Sequence, residues 1–117
     1  MRITTLMVTA LLAAIASTSA LAHAFLDHAE PRVGSTVAAA PRELVLFFTQ
    51  NIEQAFSSVE VSDASGARVD LGKPRISAST MRVGLKQLPS GTYRVRWKVL
   101  SVDTHTTEGN FSFHVSQ

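Results

Sequence analysis

The chain has 117 residues, with 11 Lys and Arg against 9 Asp and Glu, 45% hydrophobic residues and no cysteine. That length bounds it to one domain of small size, and the near balance of charge excludes the clustered basic density of a nucleic-acid-binding protein. Without cysteine there is no disulfide to reinforce the core and no thiolate ligand, so a metal site must use His, carboxylate, amine or thioether groups, a set that favours Cu(II), Zn or Ni over Cu(I) or an iron–sulfur cluster.

Residues 1–22 read as a cleavable leader. Arg2 gives a positive start, residues 6–16 are a short apolar run, and Ala20-Leu21-Ala22 has the small-x-small form of a signal-peptidase site. A membrane span needs about 18 or more apolar residues, so the run is too short for an anchor. Cleavage after Ala22 leaves His23 as the first residue of a single domain, residues 23–117, exported to an oxidising compartment. The leader carries one basic residue, Arg2, and no acid, which leaves the mature chain at about +1.

Residues 23–30 are short and mixed and stop at Pro31, and Pro31 to Ser35 reads as a turn around Gly34. Residues 44–49 are almost continuously apolar, as in a strand buried on both faces or at a sheet junction. Residues 57–62 alternate Val59 and Val61 with Ser58 and Glu60, and a turn follows at 63–66. Residues 67–79 are weakly patterned and interrupted by Pro74. Alternation returns at 80–86 with Met81, Val83 and Leu85, and a turn at 88–91 leads into Tyr93, Val95, Trp97 and Val99 set against Arg94, Arg96 and Lys98. Phe111, Phe113 and Val115 form the apolar face of a last strand. About seven short strands with no amphipathic helix predict an all-β immunoglobulin-like Greek-key sandwich or barrel. Tyr93, just after a Pro-Ser-Gly turn, has the position of the corner tyrosine of such sandwiches.

The apolar face of residues 93–99, carried on two residues at a time, passes Ser101 and reaches Asp103 and His105 at one end of the sheet. A histidine at the start of a mature chain can chelate one ion through its α-amine and its ring. With His105 and Asp103 it forms a set of three nitrogens and one oxygen, suited to tetragonal Cu(II). The donors must be deprotonated, and the amine has an ordinary pKa of about 7.7–8.0, so affinity should weaken as pH falls. His28 lies an odd number of residues from His23 and His114 alternates with core residues, so both are expected at the surface. Met81 is the one mature methionine and cannot build a thioether site by itself. Ser101, Asp103 and His105 lie within five residues with no nucleophile elbow, which argues against a hydrolase triad. Two other readings stand beside copper binding: a histidine-brace copper oxidase, and a metal-free interaction module docking through Arg94, Arg96 and Lys98.

The residues also match a family. The chain resembles the CopC family of periplasmic copper-resistance proteins in His23 after the leader, Pro31 with Gly34-Ser35-Thr36-Val37, and Pro41 ahead of the strand at 44–49. The resemblance continues in Phe56-Ser57, in the stretch from Leu88 through Tyr93 to Trp97, in Ser101-Val102-Asp103-Thr104-His105, and in Gly109 to Phe113. It implies a seven-stranded Greek-key barrel that binds one Cu(II) through the amine and imidazole of His23, Asp103 and His105. It also implies a monomeric, non-enzymatic periplasmic carrier or buffer for copper homeostasis and resistance, working beside a polytopic inner-membrane copper transporter of the CopD type. Two departures stand out. Some relatives carry a Met-rich Cu(I)-binding loop where residues 63–80 contain no methionine, so no Cu(I) site is expected, and some carry a Glu near the copper where this chain has Gln50.

Overall fold

The computed structural model describes residues 23–116; the expected leader, residues 1–22, lies outside the described residues. Eight strands are formed: β1 (Leu26–Glu30), β2 (Thr36–Val37), β3 (Glu43–Phe48), β4 (Ser58–Ser62), β5 (Asp70–Ser77), β6 (Thr80–Leu85), β7 (Gly91–Leu100) and β8 (Thr106–Val115). They make two four-stranded sheets in the orders β1-β3-β6-β5 and β2-β8-β7-β4, packed as the expected immunoglobulin-like sandwich. That is one strand more than the expected seven; the shortest, β2, has two residues that pair in parallel with His114 and Val115 of β8.

Each sheet turns its alternating apolar residues inward. β7 contributes Tyr93, Val95, Trp97 and Val99, β8 contributes Phe111, Phe113 and Val115, and Leu44, Leu46, Phe48, Met81, Val83 and Leu85 come from the opposite sheet. Fully burying a side chain of this kind stabilises by roughly 1.5–3 kcal/mol, so this one cluster supplies the driving force that no disulfide provides. β3 buries residues of both faces, Val45 as well as Leu44, Leu46 and Phe48, which explains its continuous apolar run. Its inner residues fill the core, while on the other face Phe47 is covered by the stacked ring of His28, with centroids 4.2 Å apart.

Residues 67–79 are more ordered than their weak pattern suggests. Pro74 lies inside β5, but β5 is an edge strand and the β5–β6 register shifts between Leu71 and Arg75, with Gly72 at φ 70°. An edge position with a bulge tolerates a residue that has no N–H to donate. The weak pattern reflects an edge strand with much of its length in solvent.

Two contacts lock β7 in place. The Tyr93 hydroxyl donates to Pro89 O at 2.5 Å, as in a tyrosine corner. Trp97 pairs with Gly109 of β8 and lies across it, so a Cβ on residue 109 would come within 2.6 Å of the indole. Glycine is required there by close approach. Two outcomes are expected. Tyr93→Phe lowers the denaturant midpoint by the equivalent of about 1 kcal/mol, the typical net value of one hydrogen bond. Gly109→Ala displaces Trp97, changes its fluorescence and costs about 1–3 kcal/mol through overpacking.

Candidate metal centre

The end of β7 does not continue as a strand. Ser101 keeps the inward position expected of it and is 1% exposed, but the chain then reverses through a tight turn closed by Ser101 N to His105 O at 2.9 Å and Thr104 N to Ser101 O at 2.9 Å. Thr104 takes a left-handed φ of 73°, which a β-branched residue adopts only when its surroundings impose it. Asp103 and His105 therefore meet because the loop folds back on itself, and not because strand alternation carries them outward together. The turn is seated on the neighbouring loop by Val102 N to Asn51 O at 3.1 Å and a bridge between Ile52 and Ser101.

Ser101 organises this loop. Its hydroxyl donates to Asp103 Oδ1 and lies 3.0 Å from His105 O, while His105 N approaches Ser101 Oγ at 3.3 Å and Asp103 Oδ1 at 3.4 Å. The Ser101 hydroxyl is the main reason that the Asp103 carboxyl is held below its ordinary pKa; desolvation pushes the other way, and hydrogen bonds from His105 add to the lowering. The serine hydroxyl donates to the aspartate and not to an imidazole nitrogen, so the Ser–His–Asp order of a hydrolase triad is not formed in this loop.

His23 arrives from the other sheet. The arm ahead of β1 is tied to the end of β3 by Thr49 N to Phe25 O at 2.8 Å and Phe25 N to Thr49 Oγ1 at 2.9 Å. Ala24 is fully buried, and its carbonyl accepts from Thr107 Oγ1 of β8 at 2.5 Å. The arm thus crosses from one sheet to the other at the pole where the β7–β8 turn sits.

There the three side chains converge. His23, Asp103 and His105 each offer one ligand atom, and all three atoms lie within 4.8 Å of one another. The two imidazole rings have centroids 4.4 Å apart at 76°, and His105 Nδ1 is 3.3 Å from Asp103 Oδ2. Nitrogen and oxygen donors sit about 2.0–2.2 Å from a transition-metal ion, so donors on one ion are at most about 4.4 Å apart, and small side-chain rotations bring this set onto a common centre. His23 Nδ1 is buried without a hydrogen-bond partner, the one such side-chain atom among the described residues. Buried polar atoms are otherwise paired, so this nitrogen, in a residue whose side chain meets Asp103 and His105, marks the cluster as a candidate metal site.

The other candidates lie elsewhere. His28 is 2.6 Å from Asp27 at the surface, His114 is 2.9 Å from the Thr92 hydroxyl, and Met81 is fully buried in the core. Gln50 is exposed. Arg94, Arg96 and Lys98 face outward, but Glu60 is paired across from Arg96 and Glu108 across from Lys98, which breaks up the basic row. The hydroxyls are what the sequence does not mark: Ser101 reads there as a step along the apolar face, a motif residue or a nucleophile, and Thr49 and Thr107 carry no pattern that marks them.

The fold and this cluster define a class: a small two-sheet β-sandwich with a His, Asp and His group at one pole. The chain belongs to the CopC family, whose CopC domain model matches residues 26–116. The crystal structure of CopC from Methylosinus trichosporium OB3b superposes with a TM-score of 0.75 at 32% identity, covering 80% of this chain and 94% of that one. PcoC, a methionine-rich copper resistance protein from Escherichia coli, superposes with a TM-score of 0.71 at 33% identity over 81% of this chain and 100% of its own. The copper transport protein CutJ of Bacillus subtilis (strain 168) is 30% identical over 103 residues, which are 85% of this chain but 19% of CutJ.

Replacing Ser101 by Ala removes the donor that holds Asp103 down. The depressed carboxyl contributes stability that is present above the ordinary aspartate pKa of about 3.9 and is lost as pH falls through the lower folded value. In Ser101→Ala the Asp103 titration, followed by carboxyl-carbon NMR, moves up toward the ordinary value and the acid stability contributed by this group shrinks. At neutral pH the loss of the buried hydroxyl costs about 1 kcal/mol in a denaturant melt.

Proposed function

We propose that the protein is a periplasmic Cu(II)-binding protein that holds one ion through the α-amine and imidazole of His23, the carboxylate of Asp103 and the imidazole of His105, as a carrier or buffer in copper homeostasis. The observation that carries this reading is the convergence of three donor side chains whose ligand atoms lie within 4.8 Å of one another, one of them His23 with a buried, unpartnered ring nitrogen. The family relationship and the relatives named for copper resistance and copper transport favour copper as the cargo. Three nitrogens and one oxygen suit the tetragonal preference of Cu(II). Unlike the methionine-rich PcoC, this chain has Met81 as its one methionine among the described residues, and that thioether is buried in the core, which supports a Cu(II) site without a Cu(I) site.

The amine is free only after removal of residues 1–22, so processing would complete the ligand set. Asp103 would fill the coordination position that an oxygen-activating histidine brace leaves open, which favours a carrier over an oxidase. The His105 side chain is 57% exposed, so an incoming ligand could reach the ion and displace it stepwise. Exchange of this kind fits delivery to a membrane copper transporter of the CopD type, and the matching segment inside the much longer CutJ fits a working association with transport machinery.

A titration of the processed protein with Cu(II), followed by electron paramagnetic resonance, tests the ligand set. One equivalent is expected to bind with coupling to nitrogen donors. His105→Ala, or a single extra residue ahead of His23, should each weaken binding by more than the roughly 100-fold upper end of an outer-shell substitution. Full affinity in the N-terminally extended protein would exclude the amine.

The site draws His23 from one side of the sandwich and Asp103 with His105 from the other, so the ion would cross-link the two sheets. At a free Cu(II) concentration of 100 Kd the fold should gain about 2.7 kcal/mol. That corresponds to a rise in Tm on the order of 10–20 °C for a domain of this size. Acidification should remove copper through protonation of the nitrogen donors, because Asp103 stays charged to lower pH.

A further inference from the structure

Upstream of β1 the regular ladder gives out. Thr49 N to Phe25 O, at 2.8 Å, is its last backbone bond, and beyond it side-chain hydroxyls take over the backbone of the arm. Thr49 Oγ1, at the end of β3, accepts from Phe25 N at 2.9 Å and lies 3.4 Å from His23 O as donor. Thr107 Oγ1, at the start of β8 in the other sheet, donates to Ala24 O at 2.5 Å. Backbone groups of three successive residues, His23, Ala24 and Phe25, are therefore held by hydroxyls from two sheets, which fixes the direction in which His23 leaves the fold.

The placement of Thr107 is specific. It stands two residues beyond His105, and in extended chain that spacing, about 6.6–6.8 Å, returns the side chain to the same side of the strand. One short stretch thus presents an imidazole to the site and a hydroxyl to the backbone of the residue next to His23. Ala24 is fully buried, so the arm cannot pivot about that point without opening the core. The fixed arm accounts for the buried, unpartnered state of His23 Nδ1, since a free ring would turn to find water.

We infer that Thr107 is a positioning residue for the metal: its hydroxyl, with that of Thr49 opposite, sets the reach and angle of His23 before any ion arrives. The inference rests on the Cu(II) reading of the site. Its test compares the processed protein with Thr107→Val, which keeps the branched shape and loses the hydroxyl, and with Thr107→Ser, which keeps the hydroxyl. Each is titrated with Cu(II) against a competing chelator and examined by paramagnetic resonance, with the copper-free Tm measured in parallel.

In Thr107→Val the Cu(II) affinity is expected to fall about 10–100-fold, the usual range for a group that orients a ligand, with altered nitrogen coupling. Thr107→Ser should recover both the affinity and the spectrum. A folded Thr107→Val protein with unchanged affinity and spectrum overturns the inference. Should Thr107→Val fail to fold, Thr49→Val removes the opposite hydroxyl and must show the same loss of affinity, or the inference falls. A processed parent protein that binds no Cu(II) at all overturns the functional reading and this inference with it; a parent that binds while Thr107→Val binds equally well overturns only the inference.

Discussion

The pairing of β7 with β8 is the interaction on which the rest of the molecule depends. It runs from Gly91 opposite Val115 to Leu100 opposite Thr106 without a register break. Its inner face carries a large share of the core, and its far end is the turn that holds Asp103 and His105. A register slip of one residue would send Tyr93, Trp97, Phe111 and Phe113 to the solvent face together, so the hairpin is specified by the burial of its own side chains. Trp97 lying over Gly109 fixes that register sterically, because no other pairing puts a residue without a Cβ beneath the indole.

Stability and function are thereby separated along one element. Toward Gly91 the hairpin ends in the Tyr93 corner, which only braces the fold. At the other end the backbone tightens, Thr104 takes an unfavourable φ, a carboxylate is held charged by a buried serine, and an imidazole nitrogen is left without a partner. Two of these features cost something in the free protein: the left-handed φ of Thr104, and the unpaired buried nitrogen of His23, since such an atom typically costs about 1–3 kcal/mol. Such costs gather where a ligand will offset them, and a core made of most of both sheets is large enough to carry them.

The hydroxyl groups give the site its rigidity. Ser101 ties together the loop half, and Thr49 and Thr107 tie down the arm half, so each half is braced by the sandwich where the rings of His23 and His105 meet. An ion entering such a site meets donors that have already lost most of their conformational freedom, and little further ordering is charged against binding. His105 keeps an exposed edge, so the cluster is open to solvent on one side.

Much of this was legible in the residues themselves. Alternation marked β4, β6, β7 and β8 because each has one wet face, and the lack of alternation marked β3 because it is central and covered on both faces. β5 was hidden, since an edge strand with a bulge and a proline has little to bury and so little pattern to show. His23, Asp103 and His105 could be named because their donor chemistry is visible one residue at a time. Their meeting could not be derived from strand periodicity, since the route that joins them is a reversed turn and a crossing arm. Local sequence determines which groups can ligate and which faces are apolar, because propensity and side-chain chemistry act over a few residues. Tertiary structure decided that residue 23 lies against residue 105 and that Thr49, Ser101 and Thr107 hold them there, because those contacts join segments from two sheets that only the packed core brings to one pole.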